Sequence, residues 1–200
     1  RSVATPNVDC LADHFAKKLT VPNADDPVPD FDPVVPVKLL SFRVTRRRVF
    51  QVLSKLDPKK SMMNISPMML KNCADVLTDA VYSLFKSIAD AAQWPTKWGQ
   101  SRVIGVHKRA NRAEAKNYRP IAGLDNLSLC FERVVDPQFD SWIFKFIPEC
   151  QFGFRKRCGT DDYGAAVSAE LSEALEKLWE VLLISLDVAG AFDKVWWKAL

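Results

Sequence analysis

Residues 183–197 read LISLDVAGAFDKVWW. With Val181 and Leu182 in front, the segment opens as a nearly continuous apolar run, Val181 to Leu186. That pattern predicts a short strand buried on both faces. Asp187 closes the run, so its carboxylate is expected at a sheet edge, within reach of water and substrate. Ala189-Gly190 reads as a turn, and Ala191 to Leu200 as the start of a helix. A rigid strand ending in a carboxylate suits a hard cation such as Mg2+, which takes one or two protein carboxylates and completes its shell with water and substrate phosphates. Asp187 equally suits a cap on the following turn.

Upstream of this stretch the periodicity is mostly helical. Thr45 is placed to cap a helix running to about Leu56, with Val49, Val52, Leu53 and Leu56 on one face. Asp57-Pro58 ends it. After a loop at 59–66, Ser66 caps a second helix with Pro67 in its first turn. Leu70, Cys73, Ala74, Leu77, Val81, Leu84, Phe85 and Ile88 then recur at helical spacing to about Ala92. Arg102 to His107 and Tyr118 to Leu124 read as two short strands of a hairpin with a basic tip. Asn126 is a cap for the next helix, which Pro137 should kink or split. A basic loop at 151–159 precedes a helix from Thr160 to about Trp179, whose Asp161 and Asp162 suit the helix dipole. Together these elements predict an α/β (α+β) fold, helices packed on a small sheet.

The first 41 residues differ in character. Five prolines fall between Pro22 and Pro36, with Asp25, Asp26, Asp30 and Asp32 among them. Residues 1–41 therefore read as an extended Pro/Asp-rich linker or arm, with a short amphipathic piece at Cys10 to Leu19. Residues 42–200 read as one domain. The chain starts at Arg1 and stops at Leu200 inside an expected helix, so it is expected to be a fragment.

Net charge is +4, but it is unevenly placed. Residues 1–36 carry −3, residues 37–160 carry +12, and residues 161–200 carry −5. A basic middle followed by an acidic end fits a polyanion-binding surface beside a carboxylate site, although solvated faces give the same totals. The five cysteines form no CxxC pair, and His14 and His107 lie far apart. This argues against a disulfide scaffold or a zinc site. No apolar run approaches the roughly 18 residues of a membrane span, and no signal peptide is present. The expectation is an intracellular protein, cytoplasmic or nuclear. The triplet Arg46-Arg47-Arg48 reads as part of a helix face.

Several phrases, in order, resemble the reverse transcriptases of non-LTR retrotransposons. Asp187, Ala191, Phe192, Asp193, Val195 and Trp197 match the pattern D-x-x-x-A-F-D-x-V-x-W of that family's first catalytic motif. Residues 117–135, NYRPIAGLDNLSLCFERVV, are similar to its NYRPISLL phrase. Residues 151–162, QFGFRKRCGTDD, resemble its QxGFRxGxST-D. Phe42 to Leu56 and Trp94-Pro95 to Trp98 resemble earlier phrases, so the likeness covers roughly residues 42–200.

The resemblance implies the fingers and partial palm of a right-hand polymerase, and two-metal phosphoryl transfer. In that chemistry two ions about 4 Å apart stabilise the attacking and leaving oxygens. Asp187 is then catalytic and a Mg2+ ligand, with the backbone carbonyl of Val188 a further ligand. Phe192 stands where the family packs an aromatic against the sugar of the incoming nucleotide and excludes a 2′-hydroxyl. Lys108, Arg109 and Arg119 correspond to contacts with the dNTP triphosphate, with Lys108 and Arg109 left as alternatives. Gln151, Gly153, Phe154 and Arg155 are implied to lie near the template, where Arg155, Lys156 and Arg157 can meet phosphates. The implied partners are an RNA template, a DNA primer, dNTP, an endonuclease domain upstream and the rest of the palm and thumb downstream; no membrane is implied.

Lys60 to Pro67 departs from the family's K-S-x-G-P-D-G-I, and the later [FY]-A-D-D motif does not occur in these 200 residues. The fragment alone is therefore expected not to polymerise. Two alternatives stand beside this: a degenerate nucleic-acid-binding relic, and a group II intron-type reverse transcriptase or maturase.

Overall fold

Thr45, as expected, begins the main helical body. In the computed structural model, which describes residues 5–21, 25, 27, 42–59, 64–108, 111–188 and 190–196, its Oγ1 accepts the Arg48 N–H at 3.2 Å. The helices are α1 (Val8–Leu19), α2 (Arg46–Ser54), α3 (Pro67–Asn72), α4 (Ala74–Ala91), α5 (Asn126–Ile143) and α6 (Thr160–Glu176). Two strands, β1 (Arg102–His107) and β2 (Tyr118–Gly123), pair antiparallel with Arg102 opposite Gly123 and His107 opposite Tyr118. The result is a mixed helical fold with a small two-stranded antiparallel sheet.

The core lies between α2, α4 and α5. Val49 and Leu53 of α2, Phe85 of α4, and Cys130 and Val134 of α5 are buried together. Phe85 stands edge-on to Phe131, ring centroids 5.3 Å apart, and to Trp98 at 6.2 Å. Such aromatic pairs add to the burial of their area. Burial pushes the Cys130 thiol up to about 11, so it is an inert packing group. Polar ties close the periphery. Arg43 and Gln138 exchange two hydrogen bonds, at 2.8 and 3.0 Å. Arg46 pairs with Asp79 at 2.7 Å, and Arg48 donates to the Arg133 carbonyl. Two of the three arginines at 46–48 therefore serve α2 packing. Replacing Thr45 with Ala should cost about 1 kcal/mol, the usual effect of losing such a cap, read as a shift in the urea midpoint.

Four local expectations are corrected. The helix expected from Ser66 to Ala92 is broken at Cys73, whose backbone leaves the helical region between α3 and α4. Asp125 rather than Asn126 caps α5, accepting the Leu127 N–H at 2.7 Å. Asn126 instead donates to the Ile65 carbonyl. Pro137 does not split the helix, since α5 continues through it to Ile143. Last, α6 ends at Glu176, before Trp179.

The largest correction concerns residues 181–186. They form no strand; they are irregular and open to solvent, with Leu182 83% and Leu186 90% exposed. A strand buried on both faces needs neighbours on both sides, and no described strand pairs with this one. Asp187 is accordingly not at a sheet edge here. Beyond it, the expected helix is a single 3-10 turn, Phe192–Lys194, before residues 197–200, which lie outside the described set. Within 1–41, α1 is a full 12-residue helix. The Pro/Asp-rich expectation for residues 28–41 lies outside the described residues, as do Lys60 to Met63.

Glu132, Asp136 and Asp140 repeat every four residues along α5. Partial burial, then Asp136, raises the Glu132 pKa, and desolvation, then Asp140, raises that of the exposed Asp136 against the pull of Arg48 and Arg133. A carboxyl raised in the folded state holds its proton more tightly there than when unfolded. Its contribution is therefore present at low pH and lost as pH rises through the upper carboxylate range. Glu132→Gln with Asp136→Asn should raise the denaturation midpoint at pH 7 and leave it nearly unchanged at pH 4; an unchanged pH 7 midpoint would contradict this.

Candidate nucleotide and template site

The β1–β2 hairpin presents two unlike faces. Gly105, His107 and Tyr118 face one way, and Phe15 of α1 lies over Gly105: a Cβ on Gly105 would lie 3.5 Å from the Phe15 ring and 3.6 Å from Tyr118. This close approach is what the glycine permits. His107 stands edge-on to Tyr118, centroids 5.2 Å apart. The opposite face carries Ile104, Val106, Arg119 and Ile121, all exposed. Alternation along the strands sets this division.

The asparagine and tyrosine of N-Y-R-P shape the tip. Asn117 donates to the Asn111 carbonyl at 2.8 Å, and the Tyr118 hydroxyl donates to the Arg112 carbonyl at 3.0 Å. Lys108 N–H donates to the Asn117 carbonyl at 2.7 Å. The Lys116–Glu114 pair, 2.7 Å, neutralises one tip cation. Arg119 is left exposed, its side chain making no hydrogen bond or ion pair among the described residues. Lys108 is half-buried, its ammonium 3.4 Å from the Lys116 carbonyl. Arg109 lies outside the described residues. The structuring roles of Asn117 and Tyr118 were not anticipated from sequence; their short spacing to a basic turn was the available signal.

The 151–159 loop is braced by its own backbone. Gln151 N–H donates to Pro148, its side-chain amide to the Gly153 carbonyl at 3.1 Å, and Arg155 to the Glu149 carbonyl at 3.1 Å. Gln151 is thus spent on the loop itself. Lys156 pairs with Asp140 at 2.7 Å, while Arg157 is exposed with a left-handed backbone, φ 62°. Asp162 accepts the Gly159 N–H at 2.7 Å and closes the start of α6. Beside the loop is an open cavity of about 530 Å³ lined by Phe152, Gly153, Phe154, Thr160 and Tyr163 among others.

Asp187 and Val188 are exposed on the irregular segment, and Asp187 makes no hydrogen bond or ion pair among the described residues. No group of three or more His, Cys, Asp or Glu gathers to hold a metal among the described residues. The Asp187 carboxylate has the right hard-oxygen chemistry for Mg2+ but supplies one ligand only. Phe192 is exposed and meets Phe154, centroids 6.1 Å apart and nearly perpendicular. The structure thus brings Phe192 to the 151–159 loop. No hydrogen bond or ion pair joins Arg119 or Lys108 to Asp187. The side chain of Asp193 lies outside the described set.

Three curated relatives bear on this arrangement. The RNA-directed DNA polymerase from the mobile element jockey of Drosophila melanogaster is 28% identical over 162 residues, 78% of this chain and 18% of the relative. The probable RNA-directed DNA polymerase from transposon BS of the same fly is 25% identical over 120 residues, 58% of the chain and 13% of the relative. The retrovirus-related Pol polyprotein from the type-1 retrotransposable element R1 of Bradysia coprophila is 24% identical over 127 residues, 62% of the chain and 12% of the relative. The chain is similar to the RNA-directed DNA polymerases of retrotransposons. The likeness read from the ordered motifs is thereby borne out. The chain spans less than a fifth of the length of these relatives. No family profile matches the chain. Among the described residues no helix is long and apolar enough to cross a membrane.

Proposed function

We propose that this chain supplies the fingers and the first part of the palm of a right-hand polymerase, which copies RNA into DNA within a longer retrotransposon polyprotein. The observation that carries this is its similarity, over 78% of its length, to a relative named an RNA-directed DNA polymerase. The structure adds a basic hairpin with an open face, a braced loop bearing Arg155 and Arg157, and an exposed carboxylate beyond them.

In this arrangement Arg119, with Lys108 or Arg109, meets the triphosphate of the incoming dNTP; arginine offers a planar fork and lysine a compact charge. Phe192 packs against the sugar. Gly153, Arg155 and Arg157 lie along the template, and Lys156 joins them when released from Asp140. Gln151 holds the loop and places Gly153 close to the strand. Asp187 and the Val188 carbonyl are the ligands this chain offers to Mg2+. When bound, that ion stabilises charge on the attacking and leaving oxygens. The exposed apolar run at 181–186 is covered by the remainder of the palm, and an endonuclease domain lies upstream. By itself the chain does not polymerise.

The described end of the altered loop before α3 is tied to the start of α5. Asn64 adopts a left-handed backbone, φ 59°, which asparagine tolerates, and its amide donates to the buried Asp125. The test is binding of residues 1–200 to an RNA template annealed to a DNA primer across a salt series. Affinity should fall steeply with salt, and Arg155→Ala with Arg157→Ala should lower the slope by about one to two. Salt-independent binding, or a slope unmoved by the pair, would contradict the proposal.

A further inference from the structure

Phe154 and Phe192 form a pair whose exposure needs an explanation. They are 90% and 80% exposed, yet their rings meet edge to face. Phe154 has a left-handed backbone, φ 60°. For a bulky residue that conformation is strained, and such strain persists only when the surroundings impose it. Here the surroundings do. Gln151 grips the Gly153 carbonyl and Arg155 grips Glu149, so the residues on both sides of Phe154 are fixed. The turn that Phe192 opens lies beside α1, but the Phe192 ring, 80% exposed, is not held by that helix's core-facing side. Phe192 opens a single 3-10 turn on otherwise irregular chain, where an exposed phenylalanine has several staggered wells open to it. Among the described residues, Phe154 is the one ring within stacking distance of it.

We infer that Phe154 is a positioning residue that sets the discrimination between deoxyribonucleotides and ribonucleotides by holding the Phe192 ring in place. This rests on the assignment of Phe192 to the sugar of the incoming nucleotide. Rejection of one extra hydroxyl works by clash, and a wall that can rotate away does not clash. The braced loop fixes Phe154, and Phe154 confines Phe192. The side chain nearest the sugar is thus governed from a different segment, some forty residues earlier in the chain.

The test is the ratio of rNTP to dNTP incorporation, as kcat/KM for each, by the full-length polymerase on an RNA template. Phe154→Leu keeps an apolar side chain but removes the ring. It should raise the ratio about two- to tenfold, the weight of one aromatic pair. Phe154→Tyr keeps the ring and should restore the ratio. Since Phe154 lies outside the core, neither variant threatens folding. Phe192→Ala is the control. If Phe192→Ala raises the ratio and Phe154→Leu leaves it at the wild-type value, the inference is overturned while the role of Phe192 stands. If neither changes it, the role of Phe192 fails and the inference fails with it.

Discussion

Asp187→Ala in the full-length polymerase is expected to cut primer extension on an RNA template by at least about a hundredfold. Removing a group that merely orients a metal ligand typically costs about ten- to a hundredfold, and a direct ligand costs no less. The fold should not suffer. Asp187 is exposed and unpartnered among the described residues, so its loss should change the unfolding free energy by within about 0.5 kcal/mol, as for ordinary surface positions. The combination separates two roles. A turn cap would lose about 1 kcal/mol of stability and keep activity. Extension by the variant at a rate near wild type would remove Asp187 from the reaction.

The second large effect is on stability. Phe85→Ala should destabilise the chain by about 3–5 kcal/mol. Phe85 is fully buried between α2, α4 and α5, and its ring contacts Trp98 and Phe131. Truncation removes those contacts and leaves a cavity that three packed helices cannot readily close. Domains have about 5–15 kcal/mol in total, so this substitution takes a large share of it. Urea unfolding followed by tryptophan fluorescence reads it directly, since Trp98 lies against the cavity. A loss below about 1 kcal/mol would mean that the helices are not packed as described.

Local chemistry made much of this fold legible in the sequence. Thr45, Ser66 and the acidic first turn of α6 mark helix starts because caps depend on residues within three positions. The hairpin strands were readable from β-branched residues on either side of a charged turn. What escaped depends on tertiary partners. Asp125 competes with Asn126 for the α5 cap, and the choice is settled by Asn64 and Ile65, sixty residues away. Pro137 stays within α5 because one lost hydrogen bond is outweighed by a helix anchored on both sides of it, at Val134 and Gln138. Val181 to Leu186 has a strand's composition without a strand's neighbours, so pattern alone misplaced it. The candidate site is legible to a similar degree. Motif order singled out Asp187, Phe192 and Arg119 as candidates, but only the structure puts Phe154 on Phe192 and Lys156 on Asp140.

The most direct test of the central claim is primer extension on an RNA template with dNTPs and Mg2+, run side by side with the full-length polymerase and with purified residues 1–200. The expected result is extension by the full-length protein and none by residues 1–200, which still bind the template–primer. Extension by residues 1–200 that disappears in Asp187→Ala would contradict the division of the site, and failure of the full-length protein to extend would contradict the assignment of a polymerase.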